Sequence, residues 1–333
     1  MIDSQDIFTI ANAKQFEKIA LKVFRFQYEN NSVYREFCEL LKVEKGSVKN
    51  LQQIPFLPIQ FFKSHKVVSN CNPIQETFTS SGTTGMITSK HLITDVTLYE
   101  ESYRKGFSEF YGNIEDYTII ALLPSYLERS GSSLIYMVKD LIELSNNENS
   151  GFYLHNHEEL LFKLKELNSL DKNIILIGVT YALLDLIEFA KATSFPLREL
   201  GNSTIIMETG GMKGKRKEII REELHEILCE GFGVSSIHSE YGMTELLSQA
   251  YSLGNGIFEC PNWMNILIRD TEDALYYVAT GKTGGLNVID LANINSCSFI
   301  ATQDLGKKYP NNSFEVLGRF DNSDIRGCNL MVL

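Results

Sequence analysis

Apolar residues recur at helical spacing near the start of the chain. Phe16, Ala20, Val23 and Phe24 fall at i, i+4, i+7 and i+8, and Tyr34, Phe37, Cys38 and Leu41 resume the pattern after Asn30-Asn31. The spacing predicts helix over residues 11 to 43, with Pro55 and Pro58 interrupting it. Farther along, β-rich apolar runs at 118–123, 174–179 and 204–207 read as buried strands, and 131–144, 156–168, 181–192 and 214–229 read as helices. Ile220, Leu224, Ile227 and Leu228 form the apolar face of the last helix. Alternating strands and helices predict a mostly parallel sheet covered on both faces. From about residue 257 short strand-like runs follow one another, at 265–268, 274–279, 286–290, 297–301 and 314–317, with turns at Gly281, Gly284-Gly285 and Asn311-Asn312. These predict an antiparallel barrel or sheet beside the α/β core. A single domain is expected, with a helical region over 1–70, an α/β core over 71–256 and a β-rich subdomain and tail over 257–333.

Composition narrows the function classes. The 333 residues are 44% hydrophobic, enough for one large core. A net charge of -11 offers no electrostatic footprint for nucleic acid or anionic lipid. The basic run from Lys213 to Lys217 is followed at once by Glu218, Glu222 and Glu223, as on a solvated helix. No apolar stretch reaches the roughly 18 residues of a membrane span, and Met1 to Asp6 lacks the pattern of a secretory signal. Six scattered cysteines without a Cys-x-x-Cys pair argue against a zinc knuckle and fit a reducing cytoplasm. His155 and His157, beside Glu158 and Glu159, read as loop rather than metal site.

Ser80-Ser81-Gly82-Thr83-Thr84-Gly85 is the most informative segment. Its glycines allow backbone N–H groups to converge on one concavity, and its hydroxyls add donors for a phosphate. No Lys follows directly, so it is not the Walker pattern, and an ordinary turn is an equal reading of the hexapeptide alone. Gly210-Gly211 follows a strand and leaves room for a flat ring. The segment from Tyr241 through Gly242 and Thr244 to Glu245 offers an aromatic face, a hydroxyl and a carboxylate. Asp304 stands at a strand end, where a carboxylate accepts two ribose hydroxyls, and Gly318-Arg319-Phe320-Asp321 follows. In an open parallel sheet such strand-end residues gather on the ligand-binding edge. The structural alternatives are a turn at Tyr241-Gly242, a helix start at Glu245 and a turn cap at Asp304.

Taken in order, these motifs resemble the adenylate-forming (acyl-activating) superfamily, and within it the bacterial acyl-protein synthetases of the LuxE type. The resemblance covers nearly the whole chain, including 26–37, 123–133 and the tail 325–330. It implies an α/β fold of the large N-terminal-type domain of adenylate-forming enzymes, with parallel sheets covered by helices plus a smaller antiparallel barrel. It also implies ATP and Mg²⁺ as cofactors, a carboxylic acid of the fatty class as substrate and an acyl-reductase or acyltransferase subunit as partner. Carried over by position, Ser80, Ser81, Gly82, Thr83, Thr84 and Gly85 hold the phosphates. Tyr241 lies against adenine opposite Gly210 and Gly211, with Gly242 and Thr244 alongside. Glu245, with Thr83 or Thr84, holds Mg²⁺; Asp304 binds the ribose and Arg319 helps there or at the phosphate. Two departures stand out. Only fifteen residues follow Gly318, so the superfamily's small mobile C-terminal domain and its catalytic Lys are expected to be absent, with Arg129, Lys213 and Lys90 as candidate replacements. The phosphate loop also continues as Met86-Ile87-Thr88-Ser89-Lys90, which displaces its Lys.

The resemblance implies that Cys328 carries the acyl group as a thioester, since Arg326 favours its thiolate. The bland reading of that segment is an apolar strand with an inert thiol, and Cys297 is the runner-up, read as a strand-core residue. Two other functions stay open: a phenylacetate–CoA-ligase-like enzyme using coenzyme A or a carrier protein, and a nucleotide-binding subunit without chemistry.

Overall fold

Asn12 and Asn31 set the N-terminal helices. The Asn12 side chain accepts from the Gln15 N–H and opens the helix Ala13–Asn30. Asn31 leaves helical geometry (φ -105°, ψ 105°), and its side chain accepts from the Tyr34 N–H to start Ser32–Leu40. The expected break at Asn30-Asn31 is therefore a shared cap. The computed structural model describes residues 4–80, 87–124, 131–169, 173–200, 204–210 and 219–320.

Strand β1 spans Leu57–Pro58, and β2 (Glu76–Thr79) pairs with β3 (Lys90–Ile93) as an antiparallel hairpin, Thr79 opposite Lys90. The central sheet comprises β4 (Thr118–Leu122), β5 (Gly151–Tyr153), β6 (Ile174–Val179), β7 (Thr204–Thr209), β8 (His238–Tyr241) and β9 (Ala250–Ser252). Its order is β5-β4-β6-β7-β8-β9, parallel throughout except where β9 runs against β8. Every residue of β4 and β6 is buried, which explains their unbroken apolar runs. Helices Val96–Tyr111 and Ser133–Leu144 cover one face. Thr180–Ala192 covers the other, so closely that a Cβ on Gly178 would overlap Leu183. The last predicted helix is Arg221–Phe232, with 211–218 outside the described residues. It starts after Ile220, which is 67% exposed at the cap position, and Ile227 is also exposed; Leu224, Leu228 and Phe232 make the buried face instead.

The second sheet holds β10 (Ile257–Phe258), β11 (Met264–Arg269), β12 (Thr283–Asp290), β13 (Phe299–Lys308) and β14 (Phe314–Arg319) in the antiparallel order β10-β14-β13-β12-β11. β1 adds to β13 in parallel, Leu57 opposite Ile300. The predicted strand at 274–279 is a loop. Asp270 accepts from the N–H groups of Glu272 and Asp273, and Asp273 from that of Leu275, so side chains turn the backbone where the segment begins. Within that segment strand-like pairing is confined to the isolated bridge of Tyr277 with Arg269. The N-terminal helices are bonded to this subdomain: Gln27 Nε2 donates to the carbonyls of Asn293 and Ile294, and Asn31 Nδ2 to that of Ser296. Among the described residues no helix is long and apolar enough to cross a membrane.

Candidate active site

The carboxyl ends of β6, β7 and β8 are in register, Val179 beside Thr209 and Thr209 beside Glu240, so the residues that follow them line one edge. Thr180 donates its hydroxyl to the Gly210 carbonyl at 2.8 Å, and Gly210 turns the chain with φ 66°, a conformation glycine takes without a Cβ clash. Gly211 lies outside the described residues.

Tyr241 ends β8. Its ring packs edge-on against Phe258 and Phe314, and its hydroxyl donates to Asp304 Oδ2 at 2.8 Å. Asp304 faces Arg319 across the β13–β14 pair and accepts from Arg319 Nε at 3.0 Å. Burial, then the Asp304 carboxylate, hold the Tyr241 phenol well above its usual range, and Asp304 likewise raises Arg319. The Arg319 side chain is 78% exposed, so the pair itself adds little stability and leaves the guanidinium accessible at the edge.

Glu245 is 5% exposed. Burial raises its pKa, opposed by a hydrogen bond from Ser89 and by the positive charges of Arg319 and Lys63. Ser89 also closes the base of the hairpin loop: its N–H donates to Ser80 Oγ at 2.9 Å and its carbonyl accepts from the Ser80 N–H. The segment rich in Gly, Ser and Thr therefore springs from a point tied to Glu245. Three of the predicted groups, Tyr241, Asp304 and Arg319, are in direct contact, and Glu245 and Ser80 adjoin them through Arg319 and Ser89. Ser81, Gly82, Thr83, Thr84, Gly85, Arg129, Lys213 and Cys328 lie outside the described residues. Lys90 is exposed on β3, whereas among the lysines of the described residues it is Lys63 whose charge acts on Glu245. Cys297 is fully buried just before β13 rather than within a strand, donates to the Phe299 carbonyl, and has its thiol pushed well up by burial.

Several site residues escape a reading of motifs. His91 is fully buried between the Thr244 carbonyl, 2.8 Å from Nδ1, and Asn293 Oδ1, 3.0 Å from Nε2. Burial lowers its pKa to about 4, so the ring is neutral and its one N–H donates to one of these two oxygens, the tautomer deciding which. Asn293 Nδ2 donates to the Glu245 carbonyl at 2.8 Å, which fixes the amide and holds the Thr244-Glu245 backbone from a second side. Buried Arg269 donates to the Leu286 and Thr302 carbonyls and lies close enough for its charge to act on Asp304. Glu208 accepts from Arg221 at 2.5 Å beneath Gly210, and these charges lower its pKa against strong burial. Among the described residues no group of three or more His, Cys, Asp or Glu is arranged to hold a metal, His155 and His157 included.

Long-chain-fatty-acid–luciferin-component ligases of Vibrio harveyi and Aliivibrio fischeri are 24% and 25% identical over 327 and 337 residues, spanning 92% and 94% of this chain and 84% and 86% of theirs. Among solved structures, 2-hydroxyisobutyryl-CoA ligase, in an open conformation with 2-HIB-AMP and CoA, superposes with a TM-score of 0.68 at 12% identity, covering 93% of this chain and 70% of that one. ATP-bound MatB from Rhodopseudomonas palustris superposes at 0.54 with 16% identity, over 76% of this chain and 49% of MatB. The fold is thus the α/β fold of the adenylate-forming ligases, as the motif order implied. The family model described as acyl-protein synthetase, LuxE, matches residues 4–333, and the chain belongs to that family.

Proposed function

We propose that the protein activates a long-chain fatty acid with ATP and transfers the acyl group to its own Cys328. The observation that carries this reading is the contact set Tyr241–Asp304–Arg319 beside buried Glu245, at the edge where three parallel strands end. In this reading Ser80 to Gly85 hold the phosphates, Tyr241, Gly242, Gly210 and Gly211 bind the adenine, and Asp304 binds the ribose hydroxyls. Asp304 already accepts from Tyr241 and Arg319, so its carboxylate is oriented before nucleotide arrives. The acid's carboxylate oxygen attacks the α-phosphorus, the bond to the β-phosphate oxygen breaks, and pyrophosphate leaves. Two anions meet in that step, so Arg319 and Lys63 supply positive potential where the superfamily uses a lysine.

Glu245 suits a magnesium ion. It is a buried carboxylate whose ionised form burial disfavours, and Mg²⁺ is commonly held by one or two carboxylates plus phosphate oxygens and water. Glu245 with Thr84 or Thr83 would hold it, and the ion would neutralise charge on the phosphates. The His91–Asn293 clamp keeps the Thr244-Glu245 backbone in place for this task. In the second half-reaction the Cys328 thiolate attacks the acyl carbonyl, the bond to the AMP oxygen breaks and AMP leaves; the thioester then passes to a reductase or acyltransferase.

The test is the intact mass of the protein after incubation with ATP, Mg²⁺ and a set of fatty acids, beside Cys328→Ser. A hydroxylamine-labile adduct on wild type, absent from the variant, is expected. Pyrophosphate release and an acyl-CoA product with no adduct would move the acceptor to coenzyme A. No acid-dependent pyrophosphate release at all would overturn adenylation.

A further inference from the structure

Arg221 opens the helix Arg221–Phe232, and its guanidinium reaches three strands at once. Its Nη1 donates to Glu208 Oε1 at 2.5 Å and to Ser239 Oγ at 3.3 Å. Glu208 and Ser239 are register partners, so this nitrogen bridges β7 to β8. Gly210 lies two residues beyond Glu208, and Tyr241 two beyond Ser239. The guanidinium carbon also stands 5.2 Å over the ring of Phe258 in β10. The stem is held as well: Gly256 turns the chain with φ 65°, and a Cβ there would overlap Arg221 Cδ.

Each contact leads to one side of the strand-end edge. On the glycine side, Glu208 is buried and Arg221 gives its carboxylate a counter-charge. Glu208 Oε2 lies 3.4 Å from Thr180 Oγ1, the hydroxyl that donates to the Gly210 carbonyl. On the tyrosine side, Phe258 is stacked on Phe314 with centroids 5.4 Å apart, and both rings meet Tyr241 edge-on, at 5.9 and 5.6 Å. The guanidinium thus adjoins the aromatic cluster that backs Tyr241 and the carboxylate that backs Gly210. A flat ring held between two walls is sensitive to their separation, since a gap widened by roughly 0.5–1 Å forfeits a quarter to a half of the dispersion attraction there.

We propose that Arg221 is a positioning residue for the nucleotide: it holds the ends of β7 and β8 at the separation that grips adenine between Gly210 and Tyr241. The inference rests on the acid-activating reading above, which brings ATP to this edge. Arg221 acts through Glu208 and Phe258, not by touching the nucleotide. A lysine in its place keeps a counter-charge for Glu208. As a point charge on a flexible stem, however, it cannot also bridge to Ser239 and cover Phe258. Methionine keeps a stem of similar bulk and loses every polar contact.

The test compares the full-length wild type with Arg221→Lys and Arg221→Met. Isothermal titration with ATP and Mg²⁺, without acid, reads the Kd. Pyrophosphate release, with the fatty acid that gives the largest rate, reads kcat and both KM values. The Kd and KM for ATP are expected to rise about 3-fold in Arg221→Lys and about 10-fold in Arg221→Met. The KM for the acid, kcat and inhibition by added pyrophosphate, which has no base, are expected to stay within about 2-fold. A side chain serving stability alone would lower the active fraction, and with it kcat, and leave the KM for ATP in place. Should Arg221→Met not fold, Arg221→Lys decides. An ATP affinity unchanged in both variants, or pyrophosphate inhibition that weakens in step with ATP binding, would overturn the proposal and leave adenylation standing. ATP binding by wild type without acid-dependent pyrophosphate release would end the adenylation reading, and titration would then decide on Arg221 alone. No ATP binding by wild type would overturn both.

Discussion

Replacing Asn293 with alanine tests whether three distant segments are held by one side chain. Asn293 is fully buried; its Oδ1 faces His91 Nε2 and its Nδ2 donates to the Glu245 carbonyl. Asn293→Ala leaves both partners in the interior with nothing to replace the lost atoms. Each orphaned buried group costs about 1–3 kcal/mol, so the expected loss is about 2–6 kcal/mol, a large share of the ~5–15 kcal/mol that holds a typical domain. Asn293→Asp sets an oxygen opposite the Glu245 carbonyl and adds a carboxyl group with no counter-charge in the interior, so a loss at least as large is expected. Urea unfolding followed by tryptophan fluorescence is the assay. The chain has one tryptophan, Trp263, wholly buried with Nε1 donating to Ser102 and Ser248, so its emission reports the native interior. The midpoint should fall with an unchanged slope. A loss below about 1 kcal/mol for Asn293→Ala would refute the reasoning, because it would mean that His91 and Glu245 find other partners.

Further outcomes follow from other features. Glu240 has a folded pKa of about 7, above its unfolded value, so the stability it contributes is fully present below about pH 4.5 and is lost as pH rises to about 7. The total is on the order of 3 kcal/mol, and Glu240→Gln should flatten that stretch of the urea-midpoint profile. A Cβ at Gly306 would overlap the Glu315 carbonyl and one at Gly284 the Arg269 carbonyl, so either alanine should lower stability by about 1–3 kcal/mol or more; Gly46→Ala, with open space around it, should change it by less than about 0.5 kcal/mol. Asp304→Ala should raise the KM for ATP about 10- to 100-fold, the equivalent of about 1.5–3 kcal/mol of charged hydrogen bonding, with little change in the KM for the acid, as read by pyrophosphate release.

How much of this was legible in the sequence depends on the reach of each signal. β4 and β6 were legible because burial on both faces leaves an unbroken apolar run, and the Asn30-Asn31 break because its caps act within three residues. The stretch 274–279 misled because its unbroken run of Ala, Leu, Tyr and Val suits a strand, while Asp270 and Asp273 accept from the N–H groups of Glu272, Asp273 and Leu275 and turn the chain as it enters. Ile220 misled because the helix starts one residue later. The order of the motifs anticipated that Tyr241, Asp304 and Arg319 serve one edge, but not that they bond to each other, since that contact depends on the pairing of β13 with β14. His91, Asn293 and Glu240 carried no motif at all: their meaning comes from being buried beside chain segments up to 202 residues away.

The pairing of β1 with β13 has a consequence for how the chain is made. Leu57 lies opposite Ile300, so 243 residues separate two neighbours in one sheet, and Gln27 and Asn31 reach 265 residues or more to their carbonyl partners. At a synthesis rate of roughly 5–20 residues per second, β1 waits about 12–50 s before its partner is translated. The N-terminal helices spend that interval with Phe24, Tyr34 and Phe56 deprived of Phe299, the ring they pack on. The parallel sheet can assemble while the ribosome is still at work, but the first sixty residues dock last, and a nascent chain stalled before β13 would present their aromatic face to chaperones.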